Sequence, residues 1–491
     1  MNTAALTFSL FMILFLVIGL SAARARQDSV EDFLIGGRTI KPWLNALSAA
    51  STNCSGFMFI GLIGLSYRQG LYAFWFVIGI ILGSLWVWYG LVSSLRSRAG
   101  QLSANTYLDV VLPRLSPHQA GETASQSPQR STPIVGRVGW DRWLAGVVIL
   151  FFLAIYAAAQ LKAGTKAMHS VFGWPAEIGI WMSATLILLY CLSGGFRATV
   201  WSDAAQSAVM LIAMTLLAWI SLSALGGVEG MLSALTSQST DSLQLNRLFP
   251  DHEPVWMSLL TGLGWTLVGV GCLGQPHVMI RPIALPHVDD VPKTRRIFFI
   301  YYVIFVILSV LVGVCARALI PLTPEGFDPE LALPELASQQ LPAALIGVVL
   351  AGVFASAVST ADSQVLSCSA ILGQDLRGGL RQSYQGQRLA TVIVLIIVAL
   401  IATWAPANVF TLVILSWSAL AAPFVPLAVA SCSGFTYTPT HRLMVMVICL
   451  GMFGLCRVFG APFGVHELLC TWGLGGIYML MAPRVKIDVK H

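Results

Sequence analysis

Charge is what this sequence has least of. Asp, Glu, Lys and Arg make up 10% of 491 residues, against 56% hydrophobic residues and a mean hydropathy of +0.78. A water-soluble domain carries about 25% charge, so the composition excludes one and implies a polytopic membrane protein. Clustered cysteines are missing too. The nine cysteines (Cys54, Cys191, Cys272, Cys315, Cys368, Cys432, Cys449, Cys456, Cys470) stand singly, nearly all within apolar runs. With no CxxC and no Cys/His cluster, neither a disulfide framework nor a zinc site is supported. There is no HExxH, no GxSxG and no pair of intramembrane aspartates, so an intramembrane enzyme has no signature here. No ring-forming filter loop is visible, which disfavours a passive channel. The net charge of +6 reads as membrane topology rather than nucleic-acid binding.

What is there is a series of apolar runs of about 20 residues, the length that crosses a bilayer as a helix. Thirteen can be read, near 5–22, 43–65, 72–94, 143–161, 175–193, 204–225, 256–275, 297–319, 343–370, 388–405, 408–430, 443–460 and 467–482. Ala23-Arg24-Ala25 imitates a signal-peptidase site. Met1–Ala5 carries no basic residue, however, and the arginines follow the segment, which favours an uncleaved helix with its N-terminus outside. That orientation leaves six of the 28 Lys and Arg outside: Arg68, Lys162, Lys166, Arg247, Arg317 and Arg457. The rest face the cytoplasm, as the positive-inside rule requires, and the odd span count puts Arg484–His491 there as well. The expected location is the cell (inner) membrane, multi-pass. Pro113–Arg142 is rich in Ser, Gln, Pro and Arg and reads as a disordered cytoplasmic loop. Gly226–Pro254 reads as an outer loop with a short surface helix.

The ninth span organises the chain. Within Ile346–Leu376, Ser356, Ser359, Thr360, Ser363 and Ser367 fall within a wedge of roughly 100° on a helix of 3.6 residues per turn. Asp362 projects about 120° away from that wedge. Because a lone charge in a bilayer is costly, Asp362 is expected to anchor the span to a neighbouring helix or to internal water. Gly347, Ala351 and Ala355 repeat every four residues and admit a close neighbour. Any one of these hydroxyls is explained by bonding back to its own helix. Five on one face beside a carboxylate favour a site, and neutral oxygens suit a small hard cation.

The second span is its counterpart. Ser48-Ala-Ala-Ser51-Thr52-Asn53-Cys54-Ser55-Gly56 puts small polar residues at bilayer depth, where Gly56 can relax the helix. A break there frees carbonyls, which is tolerable only where they line a cavity or bind something. A helix-packing face is the bland alternative. Asn53-Cys54-Ser55 matches a glycosylation sequon only by chance at this depth. Asp203, with Gln206 three residues on, is expected to cap the sixth span. Gly269-Val-Gly271-Cys-Leu-Gly274 fits GxGxxG but lacks a strand before it, so a dinucleotide site is excluded. Pro276 should break the seventh span, and His277 should be packed rather than ligating.

Five stretches together resemble the sodium:solute symporter family, most closely its sodium/proline branch: DFLIGGRTIKPWLNALSAASTNCSGF, YAAAQLKAGTKA, GGFRATVWSDAAQ, GQPHVMIRP and ASAVSTADSQVLSCSAILGQDL. Their order and spacing match over residues 31–377. The resemblance implies an all-α integral membrane protein of LeuT-type fold. It would have two inverted five-helix repeats, at 43–225 and 256–430, one extra helix at 5–22 and two more within 443–482. It also implies Na+ as coupling ion, held by the backbone oxygens of Ser51, Cys54 and Ser356 and the hydroxyls of Ser359 and Thr360. Asn53, Ser55, Gly56 and Gln275 are the expected solute contacts. Two positions depart from the proline carriers: Asn53 stands where they have an aspartate, and Val268 and Cys272 where they have tryptophan and tyrosine. A less aromatic pocket and a solute other than proline are therefore expected.

The function expected is sodium-coupled symport of a small organic solute, an amino acid or similar polar solute, into the cell. The alternative is a membrane sensor built on a transporter-like domain. The run after the last span is short, so that reading requires a separate signalling partner.

Overall fold

The computed structural model describes residues 2–115, 139–241, 243–321, 326–376, 383–406, 408–460 and 466–487. Most of the expected loop Pro113–Arg142 lies outside them. In a bilayer a backbone N–H has no water to bond, so apolar segments of this length close their own hydrogen bonds as helices. In chain order these are α1 (Asn2–Ala22), α2 (Pro42–Asn53), α3 (Leu62–Gln69), α4 (Phe74–Gly90), α5 (Val92–Gln101), α6 (Trp140–Phe172), α7 (Ala176–Ala224), α8 (Val255–Val270) and α9 (Pro276–Ile283). They continue with α10 (Val291–Leu319), α11 (Ala343–Ala370), α12 (Tyr384–Trp404), α13 (Val409–Cys432), α14 (Pro439–Phe459) and α15 (Glu467–Met481). The expected surface helix of the outer loop is Val228–Ser237.

Ten described segments are long and apolar enough to cross a membrane. The thirteen expected spans count α3 apart from α4, the two arms of α7 apart, and α15 as a crossing. The arms of α7 meet at Gly195, whose φ of 52° lies in the left-handed region that only glycine enters cheaply. Its backbone runs so close to Phe33 that a Cβ would stand 2.5 Å from the Phe33 carbonyl oxygen.

Two spans are halved part-way along their length. The second stops at Asn53, because Cys54 turns out of the helix (φ −85°, ψ 58°) before the chain winds on through Phe57–Gly61 into α3. The seventh stops at Val270, makes a short turn over Gly271–Gly274 and restarts at Pro276. Gln275 is extended there, the conformation a following proline enforces, and Pro276 at the first helical position needs no N–H partner.

The ninth span, α11, is the centre of the bundle. It packs on α7, α6, α1, α12 and α2, and nearly every side chain from Val349 to Leu366 is buried. Its small residues do admit close neighbours. A Cβ on Gly347 would stand 2.4 Å from the Ala4 carbonyl oxygen of α1, and one on Gly352 2.7 Å from Ala213 of α7. α4 and α8 meet in the same way, through Gly79 and Gly83 on one and Gly262 and Gly269 on the other.

Ion pairs tie the helix ends together. On one face of the bundle Arg142 bonds Asp109 at 2.9 Å and also Asp375, Arg197 bonds Asp32 at 2.5 Å, and Arg442 reaches Asp141 at 3.3 Å. Burial opposes ionisation of Asp109, and the Arg142 guanidinium outweighs it, holding the carboxyl below its usual range. On the opposite face Lys166 is 2.7 Å from both Asp328 and Glu330. Two short antiparallel strands, β1 (Phe435–Tyr437) and β2 (Arg484–Lys486), join the ends of α13 and α15. All nine cysteines are free.

Gly83 gives the packing a direct test. Its Cβ would fall 2.1 Å from the Thr266 carbonyl oxygen, and overpacking of this kind costs about 1–3 kcal/mol. Gly83→Ala should lower the melting temperature of the detergent-solubilised protein. Gly451→Ala, inside α14 where no atom lies within 4 Å of the new Cβ, should hold or slightly raise it.

Candidate functional site

The site is built where the broken second span lies against α11. Because α2 ends at Asn53, the N–H of Ser55 does not continue the ladder to Ser51, and that of Gly56 bonds the Gln160 side chain of α6 instead, at 2.8 Å. Carbonyls at the end of α2 are thereby released from the helix. From α11, Thr360 Oγ1 lies 3.1 Å from both the Thr52 and the Ser356 carbonyl oxygens, and Ser359 Oγ lies 3.2 Å from the Ser356 carbonyl. The Ser51 hydroxyl turns away towards Met210 Sδ, which leaves its backbone oxygen as the group it can offer. Ser51, Cys54, Ser356, Ser359 and Thr360 are all fully buried. The structure thus sets the hydroxyl-bearing face of α11 at Ser356, Ser359 and Thr360 against the end of α2 at Thr52, with Ser51 before it and Cys54 two residues on, and neutral oxygens of this kind suit a hard monovalent cation. Thr52 joins them through its carbonyl, a contact that sequence reasoning did not single out.

A fully buried charge network lies one turn along both helices. The Ser48 hydroxyl donates to Asp203 at 2.6 Å, and Arg281 of α9 reaches Asp203 at 3.2 Å and Ser48 at 3.3 Å. Arg281 also donates to Ser363 Oγ and to the His277 carbonyl oxygen. The guanidinium therefore clasps α2 and α11, the two helices that carry the ligand oxygens. The expected capping role of Asp203 is corrected by this geometry. Asp203 lies inside the second arm of α7, fully buried, and its carboxylate serves an ion pair rather than a helix end. Asp362 does anchor α11, accepting a hydrogen bond from the Tyr190 hydroxyl of α7 at 2.5 Å and another from Ser363 at 2.8 Å. Neither Tyr190 nor Arg281 was among the expected site residues. The signal was nevertheless present: an Asp and an Arg, each in an apolar run, can be accommodated in a bilayer only as partners.

Beside the break lies a small cavity lined by Asn53, Ser55, Phe57, Met58, Phe76, Ile80, Tyr156, Val268, Tyr302, Val413, Ile414 and Trp417, with no charged side chain. Its open space is about 20 Å³, room for roughly one water molecule, so a solute enters only when the walls part. The Asn53 amide faces the Tyr302 hydroxyl, and neither Asn53 Oδ1 nor that hydroxyl has a protein partner. Asn53 and Ser55 therefore reach the cavity. Gly56 and Gln275 do not line it. The Gly56 N–H is taken by Gln160, and the Gln275 amide donates to the Trp417 carbonyl at 2.9 Å, holding the break of the seventh span. Of the two departing positions Val268 lines the cavity and Cys272 does not, and Tyr156, Trp417, Tyr302, Phe57 and Phe76 supply rings from other helices. His277 is fully buried, packed edge-on to Tyr156, and its ring nitrogens have no protein partner.

Two halved spans, a neutral oxygen cluster between facing helices and a small polar-tipped cavity beside it define a membrane carrier that binds an ion and a solute together. The model of the sodium:solute symporter family matches residues 33–119 and 136–433. The chain is 28% identical to the sodium/proline symporter of Salmonella typhimurium, covering 90% of this chain and 85% of that protein. With the sodium/proline symporter of Escherichia coli the identity is 27%, over 96% and 91%. Among solved structures, a sodium-coupled sialic acid symporter in a substrate-bound, outward-open state superposes with a TM-score of 0.77 at 17% identity, over 99% of each chain. This chain belongs to the sodium:solute symporter family. It is a multi-pass membrane transporter, not an enzyme, and it couples the movement of a small solute to Na+.

The clasp can be tested by removing its partners in turn. Arg281→Met leaves Asp203 as an uncompensated buried charge, a loss of about 3–5 kcal/mol. The melting temperature in detergent should fall sharply in Arg281→Met and recover in part in Arg281→Met/Asp203→Asn. Strictly additive losses in the double variant would show that the two residues do not act as a pair.

Proposed function

We propose that this protein carries a small amino acid or a similar polar organic solute into the cell with one Na+ per solute. The observation that carries this reading is the convergence of Thr360 Oγ1 on carbonyls of both the broken span and its own helix, at 3.1 Å each. Sodium is held by the backbone oxygens of Ser51, Cys54 and Ser356 and the hydroxyls of Ser359 and Thr360. Asp203 is already paired with Arg281, which leaves the neutral site to do the coupling. Asn53 and Ser55 meet the solute, joined by Tyr302. Gly56 and Gln275 act by holding the two breaks. Asn53 offers an acceptor and donors where a carboxylate would accept only, which suits a neutral hydrogen-bonding group and a solute other than proline.

The spans form two inverted repeats, 43–225 and 256–430, with the extra helix 5–22 before them and two within 443–482. The chain crosses the cell (inner) membrane thirteen times, with its N-terminus outside and C-terminus cytoplasmic, a reading supported by the placement of Lys and Arg. Na+ stabilises the arrangement of the second and ninth spans that admits solute, and binding of both permits one bundle to rock against the other. The outer face closes through Glu330, which bonds Lys166 and also accepts the N–H groups of Val409 and Phe410, at 3.2 and 2.8 Å, at the start of α13. Opening to the outside requires that latch to part.

Two substitutions test the ion ligands. Losing one bond to a charged group is worth about 1.5–3 kcal/mol, so Ser359→Ala or Thr360→Ala should raise half-saturating sodium roughly ten- to a hundredfold. The check is radiolabelled uptake across a panel of solutes in proteoliposomes, with and without a sodium gradient. Unchanged sodium dependence in both variants at normal expression would sink the assignment. Asn53→Asp should tighten sodium and weaken solute in paired titrations, and tight proline transport by wild type with an indifferent variant would overturn the weight placed on Asn53.

A further inference from the structure

A groove of about 790 Å³ opens on the lipid-facing side of the bundle, separate from the ion path. Its origin is the halved seventh span. α8 stops at Val270 and the chain turns inward, so nothing continues along its line. α13 lines it with Val425, Pro426 and Val429, and α15 presents Gly476, where a Cβ would meet no atom within 4 Å. Trp86 of α4 walls the other side, half exposed at 52%. Strands β1 and β2 close one end with Phe435 and Arg484.

The groove has the dimensions and polarity of one lipid tail. Along α15 its lining runs from Trp472 to Leu480, about 12 Å at 1.5 Å per residue. Half of a hydrocarbon core of about 30 Å is about 15 Å, so the groove is one leaflet deep. Arg484 is the single charged residue in its lining. Arg484 is exposed, its guanidinium lies 4.7 Å over the Phe435 ring and bonds the Tyr437 side chain, and it forms no ion pair with a carboxylate among the described residues. An apolar channel one leaflet deep, ending in the Arg484 guanidinium, complements a phosphate-bearing lipid.

We propose that this groove is a binding site for an anionic phospholipid of the leaflet on the Arg484 side, one acyl chain lying against Val270 and Gly476 and the phosphate on Arg484. The occupant sits directly behind the turn of α8 whose Val268 lines the solute cavity. The site is independent of which solute is carried.

The test is native mass spectrometry of the full-length protein in detergent, titrated with phosphatidylglycerol or phosphatidylcholine of identical tails. Each cation near a membrane surface contributes roughly a fivefold preference for an anionic lipid. Wild type should retain phosphatidylglycerol over phosphatidylcholine by at least that factor. Arg484→Gln should reduce the preference about fivefold while keeping both lipids. Gly476→Phe, which fills the groove, should lose both, and the exposed Arg484 variant carries the test alone if Gly476→Phe folds poorly. Equal retention of the two lipids by wild type, or a preference untouched by Arg484→Gln, overturns the proposal. A two-copy assembly that forms without added lipid and is abolished by Gly476→Phe also overturns it, assigning the groove to a second copy of this chain.

Discussion

The constraint on which the rest of this structure depends is that a bilayer cannot satisfy a backbone polar group. A helix that breaks at mid-depth releases carbonyls and N–H groups into a medium with no water, at several kcal/mol each. This chain breaks two helices there and answers each break with a side chain. Gln160 accepts the Gly56 N–H at the second span, and Gln275 donates to the Trp417 carbonyl beside the seventh. Each glutamine keeps its other amide atom, Gln160 Nε2 and Gln275 Oε1, buried without a protein partner. The carbonyls left at the end of α2 then face hydroxyls of α11, and a hard cation is the partner those oxygens suit.

Buried charge obeys the same constraint. Asp203 and Arg281 would each be prohibitive alone, and together they still require Ser48 and Ser363 to complete their hydrogen bonds. A buried ion pair of this kind adds little net stability relative to apolar packing. What it adds is specificity of arrangement, because the guanidinium bonds a residue of α2 and a residue of α11 at once. On the proposed reading those are the helices whose separation sets the ion site, so the pair would act on the geometry of coupling without supplying a ligand, and Asp362 with Tyr190 fixes α11 to α7 from its other face.

Much of this was legible in the sequence, and for physical reasons. Helical spans follow from apolar length. The wedge of Ser356, Ser359, Thr360 and Ser363 follows from a period of 3.6, and both breaks follow from Gly56, Gly271 and Pro276. Local pattern did not reveal which distant residues meet. Asp203 three residues before Gln206 carries a capping signature, and only tertiary packing shows that its partner is Arg281, 78 positions later. The aromatic walls were not legible in the same way: Val268 is read from its own span, whereas Tyr156, Tyr302 and Trp417 enter the cavity from three other helices.

The consequence for coupling lies in where the ligands come from. On the proposed reading, the ion's oxygens are divided between the broken second span and the intact ninth, so the ion is bound fully only when those helices hold one spacing. The solute cavity uses Asn53 and Ser55, which flank Cys54 in the same break. A cation that fixes the Cys54 carbonyl therefore fixes the backbone on both sides of it, including the Asn53 amide that faces Tyr302. Ion and solute need no direct contact for each to favour the other. They share a segment of backbone whose conformation both select, and linkage makes that preference reciprocal. A ligand set without formal charge keeps the ion's hold modest, which a carrier requires, since an ion bound by buried carboxylates would be slow to leave. Neutral oxygens on two movable helices provide for both binding and release.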